Sequence, residues 1–399
     1  MSSLPVVDPA GPMRLGMVAG EASGDLLAAS VLDGLHARLG DAGGLQACGI
    51  GGPAMVARGF DAWWPSERLA VRGYVEVLRA YPQLRAIRSR LHDRLLHWRP
   101  DVFVGVDAPD FNLELERRLR AAGTRVAHFI GPSIWAWRPE RIDRIRASVD
   151  RMLLVFPFEP RIYEAAGIDA TYVGHPLADA IPTEVDVAAA RRALDLPAGR
   201  QVVAVLPGSR ESEITYIAPT FVRTVAWLAA RRPELVFVLP AANASLYARL
   251  RAMLAGALPE GADCRLVLGR SHDAIAAADA VLVASGTATL EVALFRKPMV
   301  IAYRMAWLSY RIMRRMAMLP WIGLPNILCE DAVVPEFVQD AATPEALGAA
   351  LLAQLDDPAL AARLRERFGE LHERLRRDCA SRAAEALLSM RPPGRGPSR

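Results

Sequence analysis

Polar residues crowd the loop that follows the first apolar segment of the chain, and several of them could do chemistry. The loop reads GEASGD: Glu21 and Ser23 lie between two glycines, and Asp25 follows the second. Glycines let the backbone approach a ligand, and the N-terminus of the helix that follows favours an anionic or oxygen-rich group. Helix capping is the alternative for these residues, since Ser and Asp are preferred caps. We expect the two acids to take part in catalysis and Ser23 to contact the substrate.

A second acidic loop follows the apolar segment 101–106 and reads DAPDFN, beginning at Asp107. A carboxylate at the end of a buried strand lies in a low dielectric, which raises its pKa towards the value that a general base needs. Helix capping is again the alternative, and it suits Asp110 better because a predicted helix begins there. Asp107 is therefore the stronger candidate for the catalytic base.

Two tryptophans lie two residues apart in the proline-containing loop 131–138. Trp135 and Trp137 could stack on sugar or acyl surface, and Arg138 could bind a phosphate beside them. Packing within the domain explains the two rings equally well. His175, in a later Gly-His-Pro segment, is more typical of a packed histidine than of a base.

In the second half, Pro-Gly-Ser-Arg at 207–210 follows an apolar segment, and Glu213 lies three residues beyond Arg210. Backbone N–H groups at such a turn, together with the arginine, suit a pyrophosphate. The turn is not a P-loop, because its spacing differs and no Lys-Ser/Thr pair follows. We expect Arg210 and Glu213 to contact the substrate.

A further turn of small residues follows the apolar segment 280–284. Glu291, in the predicted helix beyond this turn, could accept two hydrogen bonds from ribose hydroxyls. The alternative is structural: a Ser that caps the helix and a Glu that interacts with the helix dipole would give the same sequence. Two phosphate-suited turns in one domain favour a nucleotide site. The residues of the turn that would admit phosphate oxygens to helix N–H groups are Ser285, Gly286, Thr287 and Ala288.

Metal chemistry is not indicated by the sequence. The four cysteines form no C-x-x-C pair, and neither D-x-D, H-E-x-x-H nor a histidine pair at ligand spacing occurs. We therefore expect no metal and no cofactor. Arg210 and backbone dipoles would then offset the charge of a leaving group.

The elements that must position these loops are short runs rich in Val, Ile and Leu, which alternate with longer helical patterns. This alternation is typical of parallel sheets covered by helices on both faces. We predict an α/β protein with two Rossmann-like, doubly wound domains facing a central cleft, because ligands of such sheets bind beyond the carboxyl ends of the strands. The predicted parts are a disordered leader at 1–13, an N-terminal domain at 14–178, a C-terminal domain at 179–370, a C-terminal helix at 371–390 and a disordered tail at 391–399.

Composition excludes several classes of protein. Of the 399 residues, 52% are hydrophobic and 23% are charged, which fits neither a disordered chain nor a bundle of membrane spans. The first residues lack the basic start and apolar run of a signal peptide, so we expect a cytoplasmic protein. Basic segments are not interleaved with aromatic residues as in nucleic-acid-binding proteins, so no nucleic acid is expected.

The segment 303–325 is basic and amphipathic and carries Trp and Met. Arg311, Arg314 and Arg315 lie on or beside one helical face, and Ile312 belongs to an apolar one. Such a helix fits a membrane interface or an anionic lipid. A helix buried in the core or between subunits is the alternative, and the sequence allows a homo-oligomer without defining one.

Taken in order, these motifs resemble those of the lipid-A-disaccharide synthase family, which are GT-B-type glycosyltransferases with two Rossmann domains. The resemblance covers about residues 14–388, and it implies that Asn326 is a further substrate-binding residue. A departure is the segment 329–331, Cys-Glu-Asp, where the family more usually has small residues. The segments that carry the resemblance are GEASGD at 20–25, VDAPDFN at 106–112, PSIWAWR at 132–138, GHPLAD at 174–179, LPGSR at 206–210, ASGTATLE at 284–291 and LPN at 324–326.

The resemblance implies inverting transfer of 2,3-diacylglucosamine from its UDP derivative to the 6-hydroxyl of 2,3-diacylglucosamine 1-phosphate. It also implies that the N-terminal domain binds the acceptor, that the C-terminal domain binds the UDP-sugar, and that the protein docks peripherally on the inner membrane. Two alternatives belong to other classes. A UDP-sugar 2-epimerase would share the fold but needs no acylated acceptor, and a nucleotide-sugar-binding regulatory protein needs no cleft acids such as Asp107.

Overall fold

The computed structural model describes residues 11–20, 22–40, 44–69 and 74–392. The chain divides into two units, the first reaching Asp179 and resuming at Leu375, the second spanning Ala180–Arg374. Most of the predicted leader and tail lies outside the described residues, and so does Glu21. Each unit is an α/β domain built on a parallel sheet, which confirms the predicted fold class.

The sheet of the first unit has seven strands among the described residues, in the order β3-β2-β1-β4-β5-β6-β7. The strands are β1 (Met13–Ala19), β2 (Leu45–Gly51), β3 (Asp61–Pro65), β4 (Val102–Val106), β5 (Arg125–Phe129), β6 (Arg151–Leu154) and β7 (Asp169–Tyr172). Every paired strand runs parallel to its neighbour. The strand order reverses between β1 and β4, so the loops after these two strands lie at the switch point where such sheets bind ligands.

The sheet of the second unit repeats this plan, with six strands in the order β10-β9-β8-β11-β12-β13 within the described part of the chain. The strands are β8 (Val202–Leu206), β9 (Val236–Ala241), β10 (Asp263–Leu268), β11 (Ala280–Ala284), β12 (Met299–Tyr303) and β13 (Glu336–Val338). Its switch point lies between β8 and β11, the strands that precede the two turns expected to bind a nucleotide.

Helices connect the strands of both sheets, and short 3₁₀ turns add to them at Ser66–Arg68 and Gln339–Ala341. The helices are α1 (Ala22–Leu39), α2 (Pro53–Val56), α3 (Tyr74–Trp98), α4 (Pro109–Ala121), α5 (Arg141–Ser148), α6 (Glu159–Ala165), α7 (Pro176–Ala180), α8 (Val187–Ala193), α9 (Glu211–Tyr216), α10 (Ala218–Arg231), α11 (Ala244–Leu254), α12 (Ser271–Ala277), α13 (Thr287–Leu294), α14 (Trp307–Met316), α15 (Leu324–Cys329), α16 (Pro344–Asp356), α17 (Pro358–Leu375) and α18 (Cys379–Ser389). None of those in the described residues is both long and apolar enough to cross a membrane.

Each unit has its own apolar core between sheet and helices. Phe103 and Leu115 are fully buried in the first, and Phe221 and Leu282 in the second. Burying one such side chain contributes about 1.5–3 kcal/mol, so the cores hold the strand ends, and the loops that leave them, in fixed positions.

The end of the chain returns to the first unit, where α18 packs on α1. The carboxylate of Asp179 accepts hydrogen bonds from the backbone N–H groups of Asp378 (3.0 Å) and Cys379 (2.6 Å). Asp378 has a positive φ of 55°, so the backbone changes direction there between α17 and α18. The predicted helix over 371–390 is therefore two helices, the first ending at Leu375.

Candidate functional site

Asp25 holds the loop after β1 against the next loop of the sheet. Its carboxylate is only 4% exposed and accepts hydrogen bonds from the backbone N–H groups of Gly52 (2.8 Å), Ala54 (2.8 Å) and Met55 (3.2 Å). These donors form the start of α2, so Asp25 caps that helix from a distance. Burial and these three backbone hydrogen bonds leave little of the carboxylate accessible to a substrate. The geometry therefore gives Asp25 a positioning role in place of the predicted catalytic one.

The other two polar residues of this loop, Ser23 and Glu21, differ in what the structure describes of them. Ser23 is exposed in the first turn of α1, where a ligand could reach its hydroxyl. Glu21 lies outside the described residues, so its catalytic role stays a prediction.

The turn after β4 is strained and tightly held. Asp107 and Ala108 have φ values of 50° and 45°, a region that costs a non-glycine residue about 1–3 kcal/mol. The N–H of Asp107 donates to the carbonyl of Phe129 (3.0 Å), and the buried amide of Asn112 donates to the carbonyl of Asp107 (2.8 Å). Strained backbone that neighbouring hydrogen bonds keep in place is typical of functional sites.

Asp107 is exposed, so it lacks the buried, low-dielectric environment that the sequence analysis expected for it. The reason is that β4 ends at Val106 and the next side chain has already left the sheet. Asp107 instead lines a cavity of about 240 Å³. The remaining lining residues are Pro109, Ile130, Gly131, Pro132, Ser133, Ile134, Trp137 and Arg141. Ile130 has a φ of 72°, an outlier for a β-branched residue, so strain occurs on both strand ends at this cavity.

The two tryptophans of the loop 131–138 have different environments. The indole N–H of Trp135 donates to Oε1 of Glu159 (3.2 Å), and its ring packs edge-on against Phe156 and Phe158. Trp135 is absent from the residues that line the cavity, whereas Trp137 is among them. Of the two tryptophans that the sequence analysis named, the structure thus favours Trp137 over Trp135 as a direct contact for a ligand of this cavity.

Two guanidinium groups stack on the Trp137 ring. The guanidinium carbons of Arg138 and Arg141 lie 4.5 and 5.7 Å from its centroid, and Arg141 also pairs with Asp110 at 3.1 Å. Arg141 lines the cavity and Arg138 does not. Arg141 is a functional candidate that the sequence analysis did not name, whereas it named Trp137 together with Trp135 as a possible stacking surface.

Several ionisable residues of the first unit are buried. His128 and Glu116 are fully buried and hydrogen-bonded to each other. Burial alone would lower the pKa of His128, but the charge and hydrogen bond of Glu116, with a contribution from Asp107, raise it above its usual value. His175 is the packed histidine that its sequence context suggests: burial lowers its pKa to about 4, and its Nδ1 accepts from the N–H of Leu177 (3.2 Å).

In the second unit, the turn after β8 is filled by one of its own side chains. The carboxylate of Glu213 accepts hydrogen bonds from the N–H groups of Ser209 (2.8 Å) and Arg210 (3.1 Å). These are donors that were expected to bind a pyrophosphate, so the structure gives Glu213 a positioning role. The Arg210 guanidinium is 58% exposed and lies 3.4 Å from Oε1 of Glu213.

The turn after β11 leaves helix N–H groups accessible. Gly286 and Thr287 are exposed and Ala288 is half-buried at the start of α13, while the Ser285 hydroxyl donates to the carbonyl of Ile322 (3.0 Å). The first turn of an α-helix presents unpaired N–H groups and a positive dipole end, which suits phosphate oxygens. This part of the predicted nucleotide site is consistent with the geometry.

Glu291 has a partner that the sequence did not reveal. Its Oε2 atom lies 3.1 Å from Nε2 of His272, which packs beside Phe295. The hydrogen bond with Glu291 raises the pKa of His272 above its usual value. A ligand that binds Glu291 would therefore compete with His272 for one carboxylate oxygen.

Asn326 is fully buried and makes its hydrogen bonds within the second unit. Its amide donates to the carbonyl of Val334 (2.9 Å) and to Oε1 of Glu336 (2.8 Å), and its oxygen accepts from the N–H of Val334 (3.0 Å). Glu336 in turn accepts from the N–H groups of Ile322 and Gly323. Asn326 therefore positions the turn that contacts Ser285, and the geometry does not support the direct substrate contact that the resemblance implied.

The helix α14 lies on the surface of the second unit. All five residues from Arg311 to Arg315 are exposed, and Trp307 is 65% exposed. This exposure argues against the alternative of a core helix. Arg304, in contrast, is held by the hydroxyl of Thr220 (3.1 Å). No group of three or more His, Cys, Asp or Glu side chains that could hold a metal occurs in the described part of the chain.

Comparison with known proteins gives the family. A model described as lipid-A-disaccharide synthetase matches residues 15–387. A lipid-A-disaccharide synthase from Azoarcus sp. is 54% identical over 375 residues, which cover 94% of this chain and 95% of that protein. One from Verminephrobacter eiseniae is 52% identical over 391 residues, which cover 96% and 99%.

Solved structures share the fold at low identity. A glycotransferase of kitacinnamycin covers 96% of this chain with a TM-score of 0.64 and 17% identity, and all of that chain is covered. A UDP-GlcNAc 2-epimerase from Neisseria meningitidis, bound to UDP-GlcNAc, covers 94% of this chain and 99% of its own with a TM-score of 0.61 and 12% identity. At such identities the likeness establishes the fold alone, so it does not favour the epimerase alternative. Because the family model and the close relatives span nearly the whole sequence, this chain belongs to the lipid-A-disaccharide synthase family of glycosyltransferases.

Proposed function

We propose that this chain transfers 2,3-diacylglucosamine from UDP-2,3-diacylglucosamine to the 6-hydroxyl of 2,3-diacylglucosamine 1-phosphate, forming a β-1,6-linked disaccharide 1-phosphate and UDP. The observation that carries the proposal is the placement of Asp107 on the wall of a cavity formed by the segments that follow β4 and β5 of the first sheet. An α-linked donor that yields a β product requires one in-line displacement with a base on the acceptor hydroxyl.

In this proposal the first unit binds the acceptor. The carboxylate of Asp107 takes the proton of the 6-hydroxyl as that oxygen forms its bond to C1 of the donor sugar. Trp137 offers an aromatic face to the sugar or to the first carbons of an acyl chain, and Arg141 offers a cation beside it. Arg141 would have to exchange its contact with Asp110 for the acceptor phosphate, a change that one exposed ion pair permits at low cost.

The second unit binds the donor in this proposal. The bond between C1 and the diphosphate oxygen breaks, and its electron pair leaves with UDP. The exposed guanidinium of Arg210 and the N–H groups that begin α13 would offset the charge that develops on the diphosphate. Glu291 would accept hydrogen bonds from the ribose hydroxyls after displacing His272.

The acylated substrates give the exposed helix α14 a role as a peripheral contact with the inner-membrane surface. Its apolar residues Trp307, Ile312 and Met313 are 65%, 53% and 45% exposed, and its arginines are exposed with them. Apolar side chains at the lipid boundary together with cations near anionic headgroups are the two terms that hold an amphipathic helix on a membrane.

The test is an assay of the purified chain with UDP-diacylglucosamine, with and without the acylated 1-phosphate acceptor. Formation of both UDP and disaccharide only when both substrates are present supports the proposal. Epimerisation of a UDP-sugar without acceptor would indicate the first alternative class, and tight binding without any turnover would indicate a regulatory protein. Either of these two results overturns the proposal.

A further inference from the structure

Glu159 is a fully buried acid that lies behind the cavity of the first unit. It begins α6, and its two carboxylate oxygens accept hydrogen bonds from different segments. Oε1 accepts from the indole N–H of Trp135 (3.2 Å), and Oε2 accepts from the backbone N–H of Phe156 (2.9 Å). One side chain therefore connects the loop that carries the tryptophans to the segment that follows β6.

Aromatic rings enclose this carboxylate. The Trp135 ring lies edge-on to Phe156 and Phe158, with centroids 6.0 and 5.1 Å apart, and the two phenylalanines stack at 5.9 Å. The ring of His175 lies 5.6 Å from that of Phe156. An enclosure of this kind excludes water, so the hydrogen bonds of Glu159 have no solvent competitor.

The helix α6 contacts the same loop one turn further on. The hydroxyl of Tyr163 donates to the carbonyl of Pro132 (3.4 Å), and a β-carbon at Gly131 would lie 2.5 Å from that hydroxyl. Gly131 and Pro132 line the cavity together with Asp107. The loop is thus held from behind by α6 and presents its opposite side to the cavity.

We infer that Glu159 is a positioning residue whose ionised carboxylate holds the tryptophan-bearing loop in the shape that completes the acceptor cavity, and whose protonation loosens that loop. This inference deepens the proposed function and rests on it for its effect on activity. The chemistry is that an ionised carboxylate can accept from both donors at once. A protonated acid places a hydrogen on one oxygen, so one of the two contacts, to Trp135 or to Phe156, is weakened.

The electrostatic surroundings place this change near neutral pH. Burial raises the pKa of Glu159 to about 7, against the lowering effect of the Phe156 and Trp135 hydrogen bonds. The titratable neighbours are Tyr163 on the same helix, whose pKa burial raises, and His175, whose pKa burial lowers to about 4. Both are uncharged around neutral pH, so Glu159 is the group of this cluster that changes charge there.

The direct test compares pH profiles of kcat/KM for the acceptor in wild type, Glu159→Gln and Trp135→Phe. The wild type should lose about ten-fold in kcat/KM between pH 8 and pH 6, as one ionisation near 7 requires. In Glu159→Gln, kcat/KM should stay at the low value that wild type has at pH 6 and should not rise between pH 6 and pH 8. Glu164→Gln, an exposed acid on the same helix, is the matched control and should keep the wild-type profile.

A second measurement does not depend on turnover. The indole N–H resonance of Trp135, assigned by its loss in Trp135→Phe, should shift with pH in the wild type with a midpoint near that of Glu159, and should not shift in Glu159→Gln. A profile of Glu159→Gln that superimposes on the wild type, or an indole resonance that does not titrate, overturns the inference. A wild type that forms no disaccharide at any pH while the resonance titrates would instead overturn the proposed function alone.

Discussion

The Nδ1 atom of His128 lies 2.7 Å from the Oε1 atom of Glu116, and neither side chain is exposed. Oε2 of Glu116 and Nε2 of His128 are buried without hydrogen-bond partners in the described structure. Each side chain therefore has one of its two polar atoms paired with the other residue. Because α4 carries Glu116 and β5 carries His128, the pair joins the helix after Asp107 to the neighbouring strand.

Glu116→Gln should destabilise the first unit strongly, because it leaves a buried histidine without its charge partner. Breaking a buried pair from one side typically costs about 3–5 kcal/mol. Urea unfolding at pH 6 should show this loss. Glu114→Gln on the same helix is the control, since its carboxylate pairs at the surface with Arg117, and such pairs contribute at most about 1 kcal/mol.

The stability that this pair contributes should depend on pH. The pKa of His128 is raised in the folded protein, so its contribution to stability is fully present below the unfolded pKa of about 6.5. That contribution is lost as pH rises through the folded pKa. Wild-type stability should thus decline above about pH 6.5 more steeply than that of Glu116→Gln. Equal slopes would show that the histidine is neutral in the folded protein.

Asp107→Asn should nearly abolish disaccharide formation while folding and UDP affinity stay close to those of wild type. Loss of a general base typically costs roughly 10²–10⁴ in rate. Asp143→Asn is the control, because the side chain of Asp143 is 73% exposed, pairs with Arg146 and does not line the cavity. Initial rates in the transfer assay decide the matter. Activity of Asp107→Asn within a few-fold of wild type would remove Asp107 from the role and leave Glu21 as the candidate.

Most of the fold follows from the sequence because buried parallel strands are continuous apolar runs. The two strands that this pattern misses lie at sheet edges. β3 contains Trp63 and Trp64, both half-buried, and β13 has only three residues, all partly exposed. Edge strands bury less apolar surface, so their sequences carry a weaker periodic signal.

The candidate site is less predictable, because the tertiary fold determines which partner a polar side chain in a loop contacts. The carboxylate of Asp25 binds the N–H of Gly52, 27 residues away, and Trp135 binds Glu159, 24 residues away. Composition and spacing located both loops correctly at the ends of β1 and β5. They could not show that these two side chains turn towards the protein, while Trp137 faces the cavity.

Arg210→Ala and Glu291→Ala should both weaken UDP binding, the first at the diphosphate and the second at the ribose. Hydrogen bonds to charged groups contribute about 1.5–3 kcal/mol, so each change should cost roughly ten-fold or more in Kd. UMP should lose affinity with Glu291→Ala and much less with Arg210→Ala. Isothermal titration with both ligands measures this difference.

The matched control for this pair is Glu211→Ala, which alters the residue next to Arg210 but removes a carboxylate that pairs with Arg249. We expect its UDP affinity to stay within about two-fold of wild type. Unchanged titrations for all three variants would show that the nucleotide binds elsewhere than at the turns after β8 and β11.

Replacing Arg311, Arg314 and Arg315 by Ser should sharply reduce co-sedimentation of the protein with anionic vesicles. Each arginine near an anionic surface contributes about 1 kcal/mol, so the three together should account for about 100-fold in membrane partitioning. Wild-type binding should fall as salt rises, because counterions screen exposed charges. Ile312→Ser should weaken binding less steeply and without changing the salt dependence, since it removes apolar contact and no charge.

The control replaces three exposed arginines of the C-terminal segment, Arg363, Arg365 and Arg376, by Ser, which lowers the net charge equally. If overall charge drives the association, both triple variants should lose binding to the same extent. If α14 is the contact, only the first should. A helix buried between subunits predicts a third outcome, in which the α14 variant dissociates an oligomer or lowers the melting temperature. An α14 variant that stays folded in the same assembly and still sediments like wild type would exclude this helix as the membrane contact. The glycosyl-transfer proposal would survive that result, because it rests on the turns at the strand ends.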